Sequence, residues 1–267
     1  KGELDKLRST AEAAADAETV QRFDREAGLA RSLRHPNLVR VLDHGTERGI
    51  HWMAMELVDG PTLESVIDST GALGCKTAIQ LIVQIGRALE YLAGHGVIHR
   101  DVKPANILLG HQGVAKLADL GFAKDLAPTD SSAGLTMAGS SMGSPAYMAP
   151  EQVLDAKHVT ASADIYGLGA SLYHAVCGET PFTGRSAYEV MEQVVKKPHT
   201  PPRERNPNLP TSLATFLDWC LEKSPELRPA NATTFIRELE AIAAAPNATF
   251  RVPGRSSPPR RWWQWWR

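Results

Sequence analysis

His99-Arg100-Asp101-Val102-Lys103-Pro104-Ala105-Asn106 is the stretch on which the reading of this chain turns. A His-Arg-Asp tripeptide alone is an ordinary surface turn, so its weight comes from what flanks it. Before it, Leu81, Ile85, Leu89 and Leu92 share one helical face, widened by Ile79, Ile82 and Val83, which predicts a deeply buried helix over 77–92. After it, Ile107-Leu108-Leu109 and the run 114–118 surround a turn bounded by Gly110 and Gly113, which predicts a β-hairpin. That hairpin opens directly into Asp119-Leu120-Gly121. The carboxylates of Asp101 and Asp119 are therefore expected to line a single cleft.

Outward from this centre the pattern is mainly helical. Residues 7–33 are rich in Ala, Glu and Arg, and read as helix up to the His35-Pro36-Asn37 turn. Residues 38–42 and 51–58 read as two antiparallel strands, separated by Asp43-His44-Gly45 and Arg48-Gly49 and closed by Asp59-Gly60-Pro61. Further helices are predicted over 164–177, 186–195, 212–222 and 232–244, with a linker over 246–259. The run 127–144, full of Ser, Thr, Gly and Ala, is too long for an ordinary connection and reads as a functional loop. There is no internal repeat.

Composition sets outer bounds. With 267 residues, 43% hydrophobic and 22% charged residues and a net charge of -1, the chain reads as a soluble globular protein with no electrostatic reason to bind nucleic acid. Cys75, Cys177 and Cys220 have no metal-ligand spacing, and an odd, scattered set argues against a disulfide framework. No stretch reaches the roughly 18–20 apolar residues that span a bilayer, and no secretory signal opens the chain.

The octapeptide resembles the catalytic loop of the protein kinase superfamily. The resemblance implies Asp101 as the base that orients and deprotonates the acceptor hydroxyl, and Asn106 as a metal ligand. Lys103 is the residue type that Ser/Thr-specific members carry there, and it would neutralise charge on the transferred phosphoryl group. Asp119-Leu120-Gly121 resembles the metal-binding Asp-Phe-Gly with leucine for phenylalanine, which makes Asp119 the bridge between Mg²⁺ and the ATP phosphates. Gly143 to Glu151 resembles the end of an activation segment, closing in Ala-Pro-Glu and worded like the bacterial Ser/Thr branch. By that resemblance the Ser144 hydroxyl bonds Asp101 and Lys103, and Glu151 pairs with Arg228. His99 and Gly121 are framework positions, and Asp164, in Asp164-Ile165-Tyr166-Gly167-Leu168-Gly169, binds backbone N–H groups of the catalytic loop or simply caps a helix. Arg100 implies activation by a phosphate in the loop, with Thr136 the leading acceptor and Ser140 and Ser141 behind it.

Upstream, Arg22 to Ala27 followed by His35-Pro36-Asn37 resembles the family's αC helix, which makes Glu26 the partner of the ATP-positioning lysine. Lys6 stands at the family separation of roughly 20 residues, with Lys1 its rival. Met55 corresponds to the gatekeeper behind the adenine, and Glu56 and Val58 to its main-chain hydrogen-bonding partners. No Gly-x-Gly-x-x-Gly phosphate loop occurs, so a small lobe lacking its first strands is expected.

The resemblance thus implies an α+β, two-lobed kinase fold: a partial small lobe over 1–58, a mostly helical, complete large lobe over 59–245, and a tail over 246–267. It implies ATP and Mg²⁺ as cofactors and protein Ser or Thr hydroxyls as substrates, with a kinase dimer for autophosphorylation. The tail combines arginines with Trp262, Trp263, Trp265 and Trp266, the residues that gather at a cytoplasmic membrane interface. A transmembrane helix after residue 267 is expected from it. The alternatives are a pseudokinase or scaffold that binds partners without phosphoryl transfer, and an unrelated helical interaction domain.

Overall fold

The computed structural model describes residue 25 and residues 27–47, 50–120 and 145–254. In chain order it contains helix α1, ending at residue 32, strands β1 (Val41–Glu47) and β2 (Ile50–Met55), and helices α2 (Leu63–Thr70) and α3 (Cys75–Gly94). Strands β3 (Ile107–Leu109) and β4 (Ala115–Leu117) follow. Helices α4 (Pro150–Leu154), α5 (Ala161–Cys177), α6 (Ala187–Lys196), α7 (Pro202–Arg205), α8 (Thr211–Cys220) and α9 (Ala232–Ala244) complete the order.

Two helices carry the core. On α3 the apolar face read from the sequence is the buried one, from Ala78 through Leu92. On α5 every residue from Ala163 to Cys177 is buried, the pattern of a helix surrounded by protein on all sides. Such a helix must find partners for its polar groups internally. Ser171 Oγ donates to the Gly167 carbonyl at 2.7 Å, and His174 Nδ1 meets the Tyr147 hydroxyl at 2.7 Å. Beyond α5 the aromatic rings of Phe216, Trp219, Phe235 and Phe250 pack at centroid distances of 5.0–6.1 Å, several of them edge to face as ring quadrupoles prefer.

The two small sheets differ from expectation in the bounds of β1 and β2, the latter running Ile50–Met55 and not 51–58. Strands β3 and β4 pair antiparallel, Ile107 with Leu117 and Leu109 with Ala115, as the hairpin reading requires. Strands β1 and β2 also pair antiparallel, Asp43 with Ala54 through Glu47 with Ile50. However, β1 begins at Val41, not at residue 38, and it runs through Asp43-His44-Gly45, which the sequence suggested was a turn. Gly45 lies opposite Trp52, and a β-carbon there would come within 2.8 Å of the indole. It is a glycine for ring packing, not for turning. Leu38 and Val39 are apolar for a different purpose: Leu38 bridges to Leu117, and Val39 N–H donates to the Leu117 carbonyl at 2.9 Å. They tie the N-terminal part of the described chain to the β3–β4 hairpin.

Among the described residues no helix is long and apolar enough to cross a membrane, and Cys75, Cys177 and Cys220 are free thiols. Helices α5 and α8 meet tightly at Gly169, where an added β-carbon would sit 2.5 Å from Cys220 Cβ. Gly169→Ala is therefore expected to cost about 1–3 kcal/mol through overpacking. Thermal melting followed by circular dichroism should show a lower Tm for this variant, whereas Gly94→Ala, which enters open space, should melt no earlier than the parent.

Candidate active site

The catalytic-loop octapeptide is held from three directions. From α5, the buried carboxylate of Asp164 accepts the His99 N–H at 2.8 Å and the Arg100 N–H at 2.7 Å. The helix is capped at Thr160 and begins at Ala161, so Asp164 is not the cap; it stands in the first turn, where the helix dipole favours a negative charge. Burial pushes its carboxyl up to about 6, against the two N–H bonds and the Arg100 charge. From α4, Gln152 Nε2 donates to the Arg100 carbonyl at 2.8 Å. From the hairpin, the Ala118 carbonyl lies 2.9 Å from His99 Nε2, and Ala118 N–H donates to the Asn106 carbonyl at 2.8 Å. The Asp101 N–H points at His99 Nδ1 at 3.3 Å, so Nε2 carries the imidazole proton and donates to Ala118.

These bonds leave two polar residues in strained backbone. Arg100 has φ 64° and Asp119 has φ 56°, the left-handed region that costs a non-glycine residue on the order of 1 kcal/mol. The strain is tolerated because both neighbours of each are fixed.

At the centre, Asp101 Oδ2 receives the Lys103 ammonium at 2.9 Å and Asn106 Nδ2 at 3.0 Å. The same Asn106 nitrogen donates to the Asp101 carbonyl at 2.9 Å. With its NH₂ group turned to Asp101, the Asn106 amide oxygen is left as the end that a cation could use. Asp119 is exposed, and its preceding residue, Ala118, is bonded to both His99 and Asn106. Asp119 thus follows directly on a residue bonded to the loop that carries Asp101. No cluster of three or more His, Cys, Asp or Glu residues forms among the described residues. Mg²⁺ does not require one, since it is ordinarily held by one or two protein oxygens together with phosphates and water, and Asn106 with Asp119 fits that donor set.

A second buried network lies beneath. Arg228, 3% exposed, forms a two-pronged pair with Glu151 at 2.6 and 2.7 Å. Its other donors reach the carbonyls of Glu222, Lys223 and Ser162, and its guanidinium lies over the Tyr166 ring. A buried charge is tolerable only when all its donors are satisfied, and here they are. Next to it, Lys223 Nζ donates to the Val194 carbonyl at 2.5 Å and sits over the Phe182 ring. Burial, with the Arg228 charge nearby, pulls the Lys223 ammonium down to about 7.

The adenine-side residues are placed as follows. Met55 is 44% exposed at the end of β2. The Glu56 N–H is committed to the Arg40 carbonyl at 2.9 Å, which leaves its carbonyl as the main-chain group it could offer, and Val58 follows two residues later. The Glu56 side chain bonds Lys116 Nζ at 2.5 Å and the Arg40 N–H at 2.9 Å. Lys1, Lys6, Glu26, Gly121, Thr136, Ser140, Ser141 and Ser144 lie outside the described residues.

Sequence reasoning missed Gln152, the Lys116–Glu56 pair and the Tyr147–His174 hydrogen bond. For His174 a signal existed, a lone imidazole in an otherwise apolar helix; for Lys116, a cation between the apolar Ala115 and Leu117 of a short strand.

With that geometry in view, comparison with known proteins decides the family. The protein kinase domain model matches residues 6–239. The chain belongs to the protein kinase family. This kinase domain is 40% identical over 232 residues to "Probable serine/threonine-protein kinase CPE1738" of Clostridium perfringens, covering 87% of this chain and 33% of that one. It is 36% identical over 259 residues to the serine/threonine-protein kinase PknA of Mycobacterium tuberculosis, covering 92% and 58%. The chain thus spans from a third to somewhat over half of the length of these curated relatives. Among solved structures it resembles Rad53 1–466 in complex with AMP-PNP, with a TM-score of 0.67 and 25% identity over 81% of this chain and 54% of the other. The kinase fold, mixed α and β with helices dominant, is therefore shared with a protein solved holding an ATP analogue.

Two measurements test the supports of this site. In Asp164→Asn one of the two loop N–H groups faces an NH₂ group, leaving a buried donor unmet at about 1–3 kcal/mol; amide exchange at His99 and Arg100 should accelerate, and unchanged protection would show that Asp164 does not hold the loop. For Lys223 the folded value of about 7 lies below the ordinary lysine value of 10.5, so the unfolded chain binds more protons between those values and stability rises with pH across that window. Relative to Lys223→Met, the parent should gain stability as the pH is raised from 7 toward 10, read from paired thermal melts.

Proposed function

We propose that this chain phosphorylates Ser and Thr hydroxyls of proteins at the expense of ATP, with Asp101 as the catalytic base. The observation that carries this reading is the convergence of Lys103 and Asn106 on one carboxylate oxygen of Asp101, beside the loop that presents Asp119. The acceptor hydroxyl docks against Asp101, which orients its lone pair in line with the γ-phosphorus and takes up its proton. As the new O–P bond forms, the bond between the γ-phosphorus and the bridging oxygen breaks and ADP leaves. Lys103, moving from Asp101 to the equatorial oxygens, offsets the charge that develops there. Mg²⁺, held by Asp119 and the Asn106 oxygen, would screen the β- and γ-phosphates. The adenine would lie against Met55 and bond the main chain of Glu56 and Val58, with Lys6 paired to Glu26 at the α- and β-phosphates and Ser144 bonded to Asp101 and Lys103.

The same reading places a partial small lobe over 1–58, a large lobe over 59–245 and a tail over 246–267. Arg100 would receive a phosphate on Thr136, or on Ser140 or Ser141, placed there by a second kinase copy. The tryptophans and arginines of the tail support tethering at the inner face of a membrane through a span after residue 267. A scaffold without transfer activity has less support, since Asp101, Lys103, Asn106 and Asp119 are all present.

The test is incorporation of labelled phosphate by the full-length protein, with sites mapped by mass spectrometry. Asp101→Asn should lower incorporation by roughly 10²-fold or more without altering the melting profile, and phosphate should map to Thr136. Equal incorporation by both proteins would remove Asp101 from the mechanism.

A further inference from the structure

A cleft of about 340 Å³ opens behind Glu56, away from the reacting groups. Neither Asp101, Lys103, Asn106 nor Asp119 lines it. Its apolar lining comes from the buried Leu33 and Leu38 and the exposed Pro36, and its charged lining from Arg34, Arg40 and the Lys116–Glu56 pair. The volume falls within the range of about 300–1,000 Å³ usual for ligand sites.

The charge of this lining is unbalanced. Three cations stand against one carboxylate, and that carboxylate is already spent. Burial pushes the Glu56 carboxyl up, but the Lys116 ammonium, the Arg40 N–H and the two positive charges outweigh it and hold it below the usual range. Glu56 therefore pairs with Lys116 and also feels the Arg40 charge, while the Arg34 guanidinium bonds the backbone carbonyls of Arg31 and Leu33; among the described residues neither arginine makes an ion-pair contact with a carboxylate. His35 adds no further positive charge at neutral pH, since burial and the Arg87 charge lower it, against the opposing Glu90. An occupant that suits both linings carries carboxylates spaced around aliphatic side chains.

We propose that this cleft docks an acidic, leucine-bearing peptide segment of a partner protein, and that its occupancy is coupled to the nucleotide. The coupling has a short route. Lys116 lies three residues before Asp119, and Glu56 begins the segment proposed to bond adenine. A peptide carboxylate that competes with Glu56 for Lys116 loosens the clamp joining β4, Arg40 and Glu56. This second half rests on the adenine reading above; the docking half does not.

The experiment uses the full-length protein and a fluorescein-labelled Asp-Leu-Glu-Leu-Asp peptide, followed by anisotropy without nucleotide. Saturable binding is expected, weakened roughly tenfold or more by Arg40→Glu and by replacing both peptide leucines with serine, with loss of one charged or apolar anchor typically worth about a factor of ten. Arg40→Gln serves as a second variant, because the side chain is exposed and its main-chain bond to Glu56 survives either change; both should melt with the parent. Absence of saturable binding, or binding indifferent to the arginine or to the leucines, overturns the docking site. Repeating the titration with saturating AMP-PNP should shift peptide affinity several-fold. Binding that persists without any shift overturns the coupling and tells against adenine at Glu56, while leaving the docking site standing.

Discussion

Everything in the candidate site depends on a carboxylate buried in the middle of the molecule. Asp164 reaches across 64 and 65 residues of sequence to take the N–H groups of Arg100 and His99. Its burial is costly, as the upward displacement to about 6 records. Because the folded value lies above the ordinary aspartate value of 3.8, its proton-linked contribution is present below that value and is lost as pH rises through 6. At neutral pH the ionised group is held at a net cost that two short N–H bonds and the first turn of α5 offset. What this secures is geometric. With its N–H committed to Asp164 and its carbonyl to Gln152, Arg100 has little choice but the left-handed conformation it adopts, and that conformation sets the direction in which Asp101 leaves the chain.

The second anchor answers a different mechanical need. Glu151 opens α4 just after the segment 145–149, and Arg228 lies far downstream between α8 and α9. Their two-pronged bond fixes where the chain enters α4. Ser162 at the start of α5 bonds the same guanidinium, and Tyr166 packs against it. Both anchors therefore converge on the first turns of α5, which explains why this helix is enclosed on all sides. A surface helix could not hold two opposite buried charges within a turn and a half of one another.

Legibility in the sequence followed the range of the interaction. Helix α3, the β3–β4 hairpin and α9 could be read because each writes its own period: a 3.6-residue apolar face or short apolar runs around a glycine-bounded turn. Residues 38–45 misled because two signals had other causes. Leu38 and Val39 are apolar to meet Leu117, and Gly45 is small to admit Trp52. Asp164 could be read as a helix cap because an aspartate near a helix start is ambiguous, and only the position of Thr160 separates the readings. Pairs such as Lys116–Glu56 and Tyr147–His174 join residues 60 and 27 positions apart, and no local pattern announces them. The octapeptide was informative because its residues touch one another: Lys103 and Asn106 both meet Asp101 within six positions.

Those local contacts also explain a division of labour among polar groups. Asn106 spends both NH₂ contacts on Asp101, one on the backbone and one on the side chain, so its orientation cannot vary independently of that residue. Lys103, by contrast, has one contact to Asp101 and a side chain 15% exposed, which leaves it able to exchange one anion for another. The rigid member is the one suited to hold a cation at fixed distance, and the adaptable member is the one suited to follow charge as it shifts during transfer. A lysine has three rotatable donors on a long stem and an asparagine a planar amide. Under the proposed function neither could take the other's place, because that reading needs an oxygen at one position and a movable charge at the other.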